Sequence, residues 1–418
     1  MIKICKRFFF YSFVLCTLAM CIAYAFFYST ALLNNHLQRY LDLNINQNWG
    51  VKKFILNAAD TLNDLLPHLH ATNIQINADK PGTLQKVPSL PEDIENLIFV
   101  STSEQLAAAL TNALPGDGIF IRKGKYRLSA GRIVVGTNTV DNWDKPSFVF
   151  AENYGDVAIT LNTGEGFYID KPNWTFQNLN LSGECPGLMP CDHAFHIVGN
   201  ADNFSLINSV VKNFDSHIKS NGRLNKVTKA REFPDNVKIL NNSFFNDYLR
   251  MINKPSTPLD VVGGDNWLIK GNVVADFTKA LYQHKLNWSY GIFLKGGGQN
   301  GVIEENIVAC EWRIPHYSKL DARVGISIGG GGTEDRFCPE KDCSTEHTNG
   351  VVRKNTIVNC TNDSAIYINK GKNILIHDNS ILNSQGIELR FPQTSVVMKN
   401  NEYKGLLIVR DGAKVTHE

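Results

Sequence analysis

The element Asn-x-x-apolar-x-x-Asn recurs along the chain, and it constrains the fold more than any other feature. Clear copies run from Asn236 to Asn242, Asn266 to Asn272, Asn300 to Asn306, Asn349 to Asn355 and Asn373 to Asn379. Apolar residues follow the second asparagine in most copies. Asparagine tolerates left-handed backbone, and its amide can bond to the next repeat. Each copy therefore predicts two short strands separated by a polar corner.

A second recurring element consists of short segments in which apolar residues alternate with other residues. This alternation is typical of strands that bury one face. Three short strands per repeat cannot bury their apolar faces alone, but stacked coils form one continuous core at about 4.8 Å per layer. The sequence therefore predicts an all-β solenoid, a parallel β-helix. The alternating segments are 194–199, 291–296, 325–330, 365–370 and 386–391.

The start of this body has a distinctive order of elements. An apolar strand, Leu97 to Val100, precedes a helix-like stretch from Ser103 to Leu110, a Pro115-Gly116-Asp117 turn, a second apolar strand and Gly124-Lys125-Tyr126. This order resembles the N-terminal cap of pectin-lyase-like β-helices, including the alginate and chondroitin lyase family. The resemblance implies a right-handed parallel β-helix with a capping helix over residues 96–418.

The N-terminal region has the composition of a membrane anchor. Residues 1–7 carry three basic side chains, and the uncharged residues 8–33 are long enough to cross a bilayer as a helix. A cleaved signal peptide is the alternative, since Ala23-Tyr24-Ala25 fits a cleavage site. We expect a cytoplasmic tail (1–7), a transmembrane anchor (8–33), a partly helical stalk or linker (34–95) and a periplasmic or extracellular body (96–418).

Charge and cysteine content narrow the possible partners. The net charge of +2, from 42 basic and 40 acidic residues, does not favour nucleic acid. An extracytoplasmic body permits disulfides. The spacing of Cys185 and Cys191, and of Cys338 and Cys343, predicts loop disulfides and not zinc sites. Equivalent strand positions predict that Cys310 and Cys360 are buried free thiols in one inward column.

Outward side chains of equivalent strands should form columns across one face of a β-helix. Two columns follow when the apolar residues are placed inward. The first contains His196, Lys219, Asp260, Phe293, Ser327, Tyr367 and Glu388, and the second contains Val198, Asn221, Val262, Lys295, Gly329, Asn369 and Arg390. Glycines at 296–298 and 329–332 would either open a groove or make tight turns.

This face predicts binding of an elongated acidic sugar. β-Elimination of a uronate polymer needs a neutralised carboxylate, a base for the C5 proton and an acid for the leaving oxygen. We expect catalysis by Lys219, Asp260, Lys295 as the base, and Arg323. Asp260 would orient a lysine or hold calcium, and Arg323 and Arg390 would bind or protonate the substrate. The residues expected to bind substrate are His196, Tyr290, Trp312, Arg313, Tyr367, Glu388 and Arg390.

The resemblance also implies a functional set. That lyase family typically uses a lysine and an arginine, with calcium held by Asn and Glu residues that include a Glu-x-Glu before the lysine. Here Gly291-Ile292-Phe293-Leu294 precedes Lys295 instead. The leading hypothesis is a polysaccharide lyase acting on an acidic, uronate-containing polymer. The alternatives are a non-catalytic glycan-binding or scaffold protein of the cell envelope, and a glycoside hydrolase or uronate epimerase.

Overall fold

Three parallel sheets wind around one core. The computed structural model describes residues 76–92, 94–138, 143–184, 191–250, 255–278, 287–315 and 321–418. Within these ranges, successive coils contribute strands to the three sheets in turn. Strands that are neighbours in a sheet therefore come from consecutive coils. The parallel β-helix expected from the repeats is confirmed. Parallel crossovers of this kind are right-handed in nearly all proteins.

The strand bounds show how regular the coils are. Sheet 1 contains Asn96–Val100, Asp117–Ile121, Ser147–Phe150, Trp174–Gln177, Ser205–Ile207, Lys238–Leu240, Leu268–Lys270, Val302–Glu304, Val351–Arg353, Ile374–His377, Ser395–Lys399 and Lys414–His417. Sheet 2 contains Ile133–Val134, Glu165–Ile169, His193–Val198, Ser216–Asn221, Leu259–Val262, Asn287–Lys295, Asp321–Ile328, Ile366–Asn369, Gly386–Arg390 and Leu406–Arg410. Sheet 3 contains Gly124–Ala130, Val157–Thr163, Asn180–Gly183, Val210–Lys212, Ser243–Phe245, Val273–Ala275, Ile307–Ala309, Thr356–Val358, Ser380–Leu382 and Glu402–Tyr403.

Smaller elements decorate this stack. Short parallel strands pair beside sheet 2, and one antiparallel hairpin leaves the coil after residue 222. The bounds of these strands are Gly298–Gln299, His347–Thr348 and Gly371–Lys372, and Arg223–Leu224 with Arg231–Glu232. Two 3₁₀ turns, Asp335–Phe337 and Pro339–Lys341, follow the Gly329 to Gly332 turn.

The two asparagines of each repeat form ladders along the stack. The first asparagine sits in the left-handed region, as at Asn266 (φ 60°) and Asn300 (φ 58°), and its amide bonds to the preceding rung at 3.1 Å. The second asparagine is buried, and Asn306 Nδ2 donates to Asn355 Oδ1 at 2.9 Å. Left-handed corners and amide bonds between coils are both confirmed. These ladders fix the register of the rungs.

An α-helix, Ser103–Asn112, covers the first coil as expected. Thr102 caps its N-terminus by accepting a hydrogen bond from Gln105 N at 3.2 Å. Leu106 and Leu110 are fully buried against the core. The helix therefore closes the apolar end of the solenoid.

Part of the expected linker is bonded to the β-helix. Thr83 N donates to Gly271 O at 2.8 Å, and Leu84 N donates to Asn241 Oδ1 at 2.7 Å. Ala78 belongs to a small apolar cluster on the outer side of sheet 3. Residues 76–84 therefore run along the stack. The predicted anchor at 8–33 lies outside the described residues, and none of the described helices is long and apolar enough for a bilayer.

The cysteines give one confirmation and one correction. Cys338 and Cys343 form the predicted loop disulfide, and Cys191 is also disulfide-bonded, while Cys185 lies outside the described residues. The prediction of free thiols at Cys310 and Cys360 is wrong, because they are bonded to each other with Cα atoms 4.9 Å apart. Their shared inward column was expected. Adjacent rungs put two such cysteines within the span of a disulfide.

Candidate functional site

The outward columns of sheet 2 pair in the expected register. His196 pairs with Lys219, Lys219 with Asp260, and Asp260 with Phe293. The same column continues through Ser327, Tyr367 and Glu388. The second column places Asn221 opposite Val262 and Val262 opposite Lys295, with Asn369 and Arg390 paired farther along. Residues separated by up to 192 positions thus share one face.

Three charged side chains on this face form a lysine–aspartate cluster, defined as Lys219, Asp260 and Lys295. Lys219 Nζ lies 2.5 Å from Asp260 Oδ2, and Lys295 Nζ lies 3.1 Å from Asp260 Oδ1. Their side chains are 20%, 17% and 21% exposed, in that order, while the Oδ1 atom of Asp260 is itself buried. Two ammonium groups against one carboxylate leave a net positive charge of one at this point.

The cluster controls the ionisation of its carboxylate. Burial alone would raise the pKa of Asp260, but the charges and hydrogen bonds of Lys219 and Lys295 outweigh it. The pKa of Asp260 is therefore held well below its usual range. The carboxylate stays ionised and holds both amines in place, and it does not act as a proton donor near neutral pH.

Aromatic rings lie directly beside Lys295. Its Nζ lies 4.1 Å from the centroid of the Phe293 ring, and Phe293 stacks on Tyr290 with centroids 4.1 Å apart and planes 18° from parallel. Tyr290 is half-buried. A stacked aromatic pair therefore adjoins the charged cluster.

A histidine pair adjoins the other side of the cluster. His196 Nε2 is 2.8 Å from Asn221 Oδ1, and His196 Nδ1 is 3.3 Å from Glu165 Oε1. The His193 and His196 rings are 5.1 Å apart. Burial, followed by the charges of His196 and Lys219, lowers the pKa of His193 to about 3. His193 is therefore neutral at ordinary pH.

Glu165 and His193 were missed by the sequence reasoning. The spacing His193-Ala194-Phe195-His196 was a visible signal, since it can put two imidazoles at one place. The signal for Glu165 was a further copy of the alternating element, Gly166-Phe167-Tyr168-Ile169, which pairs with the copy after His193 and so places Glu165 opposite His193, 28 positions away.

The far end of the columns is held by ion pairs. Glu388, 1% exposed, accepts from Arg410 Nη2 at 2.6 Å, and Arg390 Nε donates to Asp411 Oδ2 at 2.6 Å. The Tyr367 hydroxyl accepts from Asn369 Nδ2 at 2.9 Å. Tyr367 and Arg390 share the face with the cluster. The buried carboxylate of Glu388 instead pairs with Arg410 on the neighbouring strand and does not face a ligand.

Arg323 does not belong to this site. It is 0% exposed, and its guanidinium donates to Asp321 Oδ2 at 2.7 Å, to Thr278 Oγ1 at 2.8 Å and to three backbone carbonyls. These bonds satisfy its donors inside the protein. The expected catalytic role for Arg323 is therefore wrong: no donor is left for a substrate.

Trp312 and Arg313 also lie elsewhere. The Trp312 ring packs edge-on against Phe245 of sheet 3 at 5.7 Å. The Arg313 guanidinium lies 3.7 Å from the Trp312 ring and forms an ion pair with Asp79. The expectation that they bind substrate beside Lys295 is corrected, because the segment that carries them leaves sheet 3 and packs beneath residues 76–79.

The glycines serve mainly as tight turns. Gly296, Gly297 and Gly329 have φ of 76°, 84° and 78°. A Cβ on Gly330 would lie 2.9 Å from Phe293 Cζ and 3.4 Å from Lys295 Cδ. Gly330 therefore lets the turn close against the aromatic and lysine side chains of the site.

Calcium, suggested by the family resemblance, does not fit beside Lys295. Calcium prefers six to eight oxygen ligands, several from carboxylates. Both oxygens of Asp260 face ammonium groups, and Glu388 faces Arg410. Within the described ranges, the one cluster of three metal-ligating side chains consists of Glu165, His193 and His196.

Comparison with known proteins gives distant structural likenesses. No protein-family model and no curated protein matches the sequence. The chain is similar to the PL6 family alginate lyase AlyGC, with 16% identity and a TM-score of 0.37 over 73% of this chain, and it spans about a third (34%) of that chain's length. It is also similar to an alginate lyase from Paenibacillus sp. str. FPU-7 (14% identity, TM-score 0.35, 77% of this chain and 99% of that one).

A third likeness is to the A-module of the mannuronan C-5 epimerase AlgE4 from Azotobacter vinelandii. Its identity is 13% and its TM-score 0.36, with 79% of this chain and 97% of that one covered. The chain, whose own strand topology is that of a parallel β-helix, distantly resembles alginate-lyase structures.

Proposed function

We propose that the chain is a carbohydrate-active enzyme, a lyase that cleaves a uronate-containing polysaccharide by β-elimination. The observation that carries the proposal is the lysine–aspartate cluster on the outward face of sheet 2, with Lys219 and Lys295 both within 3.1 Å of Asp260. Two partly exposed amines, of which Lys219 keeps its charge when Lys295 acts as the neutral base, suit an anionic substrate better than a neutral one.

Each member of the cluster has a distinct role in the proposed reaction. Lys219 neutralises the substrate carboxylate, which makes the neighbouring C5 proton more acidic. Lys295, as the neutral amine, takes that proton, the C4–O bond breaks, and the departing oxygen takes a proton from solvent. The products are a new chain end and an unsaturated uronate. Asp260 is a positioning residue that holds both amines.

The aromatic surface gives the proposed binding mode. The stacked rings of Tyr290 and Phe293 adjoin Lys295, so a sugar ring resting against Tyr290 would bring its C5 proton toward the amine. Tyr367 and Arg390, farther along the column, would contact the next sugars of the polymer. An elongated ligand matches the direction of the columns.

The test uses the full-length chain purified in detergent. Alginate, pectate, hyaluronan and chondroitin are incubated with it, and ultraviolet absorbance of the unsaturated uronate is followed from neutral to alkaline pH. We expect signal on at least one polymer, rising with pH because the base must be the neutral amine. Lys295→Ala should lower the rate at least 100-fold, which is the usual range for a general base.

Lys212→Ala is the matched control. Lys212 is also a partly exposed lysine paired with an aspartate, 2.9 Å from Asp247, but it lies on sheet 3. Its loss should leave the rate unchanged. Absence of unsaturated product on all four polymers would refute the lyase proposal, and equal loss in both lysine variants would refute the role of Lys295.

The other reactions have their own signatures. An epimerase would share the proton removal at C5 but change the uronate composition without cleavage, which NMR of the polymer detects. A glycan-binding scaffold would retain polymer without turnover. A glycosidase is less favoured, because Asp260 holds two lysines and Glu388 is buried against Arg410, leaving neither carboxyl group to flank a glycosidic bond.

Membrane attachment is part of the same proposal. The uncharged residues 8–33, preceded by three basic residues, support an anchor with the body on the extracytoplasmic side. Membrane fractionation and protease accessibility of the body in intact cells test it. A body that is recovered entirely in the soluble fraction would contradict the anchor.

A further inference from the structure

We propose that Glu165, His193 and His196 form a binding site for a divalent transition metal ion of the zinc class, at the end of the face beside Lys219. One ligand atom from each residue lies within 4.8 Å of the other two. The inference does not depend on the lyase proposal, because it concerns binding of the ion alone.

The hydrogen bonds of His196 define its tautomer. Asn221 Nδ2 donates to Gly222 O at 3.2 Å, which orients the amide so that Oδ1 faces His196 Nε2 at 2.8 Å. His196 Nε2 must therefore carry the proton and donate it. In the neutral ring, Nδ1 then presents a lone pair toward Glu165 Oε1, 3.3 Å away.

A lone pair facing a carboxylate oxygen is unfavourable unless a cation, either a proton or a metal ion, lies between them. Among the described residues, His196 Nδ1 and His193 Nδ1 are buried and have no hydrogen-bond partner. A bound metal ion satisfies such nitrogens, and the bond from His196 Nε2–H to an amide oxygen is the arrangement that ordinarily orients a metal-bound imidazole. The geometry therefore points to a metal ligand and its supporting residue.

The spacing and the donor atoms select the class of ion. Zinc–ligand distances of about 2.0–2.1 Å put tetrahedral ligands about 3.3 Å apart. Glu165 Oε1 and His196 Nδ1 already have this separation, and the ligand atom of His193 lies within 4.8 Å of the ligand atoms of the other two residues. Two imidazoles and one carboxylate suit zinc and its neighbours, whereas calcium prefers oxygen alone.

Several charged residues surround the three proposed ligands. Arg132 Nε lies 2.5 Å from Glu165 Oε2, so the arginine occupies the far oxygen and leaves Oε1 for the ion. Lys219 opposes a cation, and Asp260 and Asp192 favour one. The side chains of Glu165 and His196 are 22% and 15% exposed, and three protein ligands leave one coordination position of a tetrahedral ion open.

The test is metal binding by the full-length chain in detergent after treatment with a chelator. Calorimetric titration with zinc chloride should show one equivalent bound, and cobalt chloride should give the visible absorption of low-coordinate cobalt with nitrogen ligands. Calcium chloride should give no binding at the same concentrations. His193→Ala and His196→Ala should each weaken zinc binding at least 100-fold.

Two further variants separate coordination from misfolding. Asn221→Ala keeps all three ligands but removes the bond to His196 Nε2, and it should weaken binding about 10- to 100-fold. Glu165→Gln keeps the shape of the side chain and should weaken binding at least 10-fold. His377→Ala, which removes a histidine on sheet 1 beside Asp378, is the matched control and should leave binding unchanged.

Two results would overturn the inference. One is the absence of stoichiometric zinc binding by the wild-type chain. The other is zinc binding that survives in His193→Ala, His196→Ala and Glu165→Gln alike, which would place the ion elsewhere. Loss of lyase activity alone would bear on the proposed function and not on this site, because the readout is binding.

Discussion

Replacing Asn306 by alanine tests whether the buried amide ladder determines the stability of the stack. Asn306 Oδ1 accepts from Asn272 N at 2.9 Å, and Asn306 Nδ2 donates to Ile269 O at 2.9 Å. Alanine leaves this N–H and this carbonyl without partners in the interior. Each buried unpaired group destabilises the folded state by about 1–3 kcal/mol. We therefore expect Asn306→Ala to lower the free energy of unfolding by about 4 kcal/mol.

Asn300→Gly is the matched control on the exposed ladder. Glycine accepts the left-handed φ of 58° at this corner, and water replaces the lost bond to Asn266. We therefore expect Asn300→Gly to lower the free energy of unfolding by less than about 1 kcal/mol. Equilibrium urea unfolding measures both variants, and hydrogen exchange at the Asn272 amide should accelerate only in Asn306→Ala. Equal costs in the two variants would refute the reasoning.

Two further predictions concern the disulfide and acid stability. Removing the bond between Cys310 and Cys360, which closes a 50-residue separation, should lower the free energy of unfolding by about 4 kcal/mol, measured by urea unfolding of the double alanine variant; an unchanged midpoint would contradict it. Burial lowers the pKa of His217 to about 3 and of His347 to about 4. Both bind protons more readily when unfolded, so their stabilisation is complete above about pH 6.5 and falls as the pH drops toward those values. Between pH 6.5 and 5, proton binding to each histidine in the unfolded chain should lower the free energy of unfolding by about 2 kcal/mol. Thermal unfolding from pH 7 to 5 should show this, with a shallower slope in His217→Gln, and a constant melting temperature would exclude it.

The fold was accessible from the sequence because its signals are local and repeated. Alternation places every second side chain outward, and equivalent strands then stack in register, which is why His196, Lys219 and Asp260 could be assigned to one column. The asparagines marked the corners for the same reason. Periodicity in this chain thus predicts both the core and the direction of the exposed face.

The sequence reasoning failed where the alternation breaks. All eight residues of Asp321–Ile328 are buried. Arg323 is therefore not exposed, although its strand belongs to sheet 2, which carries the lysine–aspartate cluster. Trp312 and Arg313 follow a strand of sheet 3, and nothing local shows that their segment turns away from sheet 2. The pairing of Glu165 with His193 follows from the register of two strands that both carry the alternating element, Gly166-Phe167-Tyr168-Ile169 and Ala194-Phe195-His196-Ile197, of which only the second was recognised in the sequence.

The ladder of asparagines in the core also shows which segments of the chain can vary in length. Successive buried asparagines are separated by 30, 34, 49, 24 and 22 residues, yet each bonds to the next. The longest interval, from Asn306 to Asn355, carries its extra residues around Asp321–Ile328, at the two ends of a sheet 2 strand. Segments there can differ in length while each buried asparagine still bonds to the next and the coils keep their spacing.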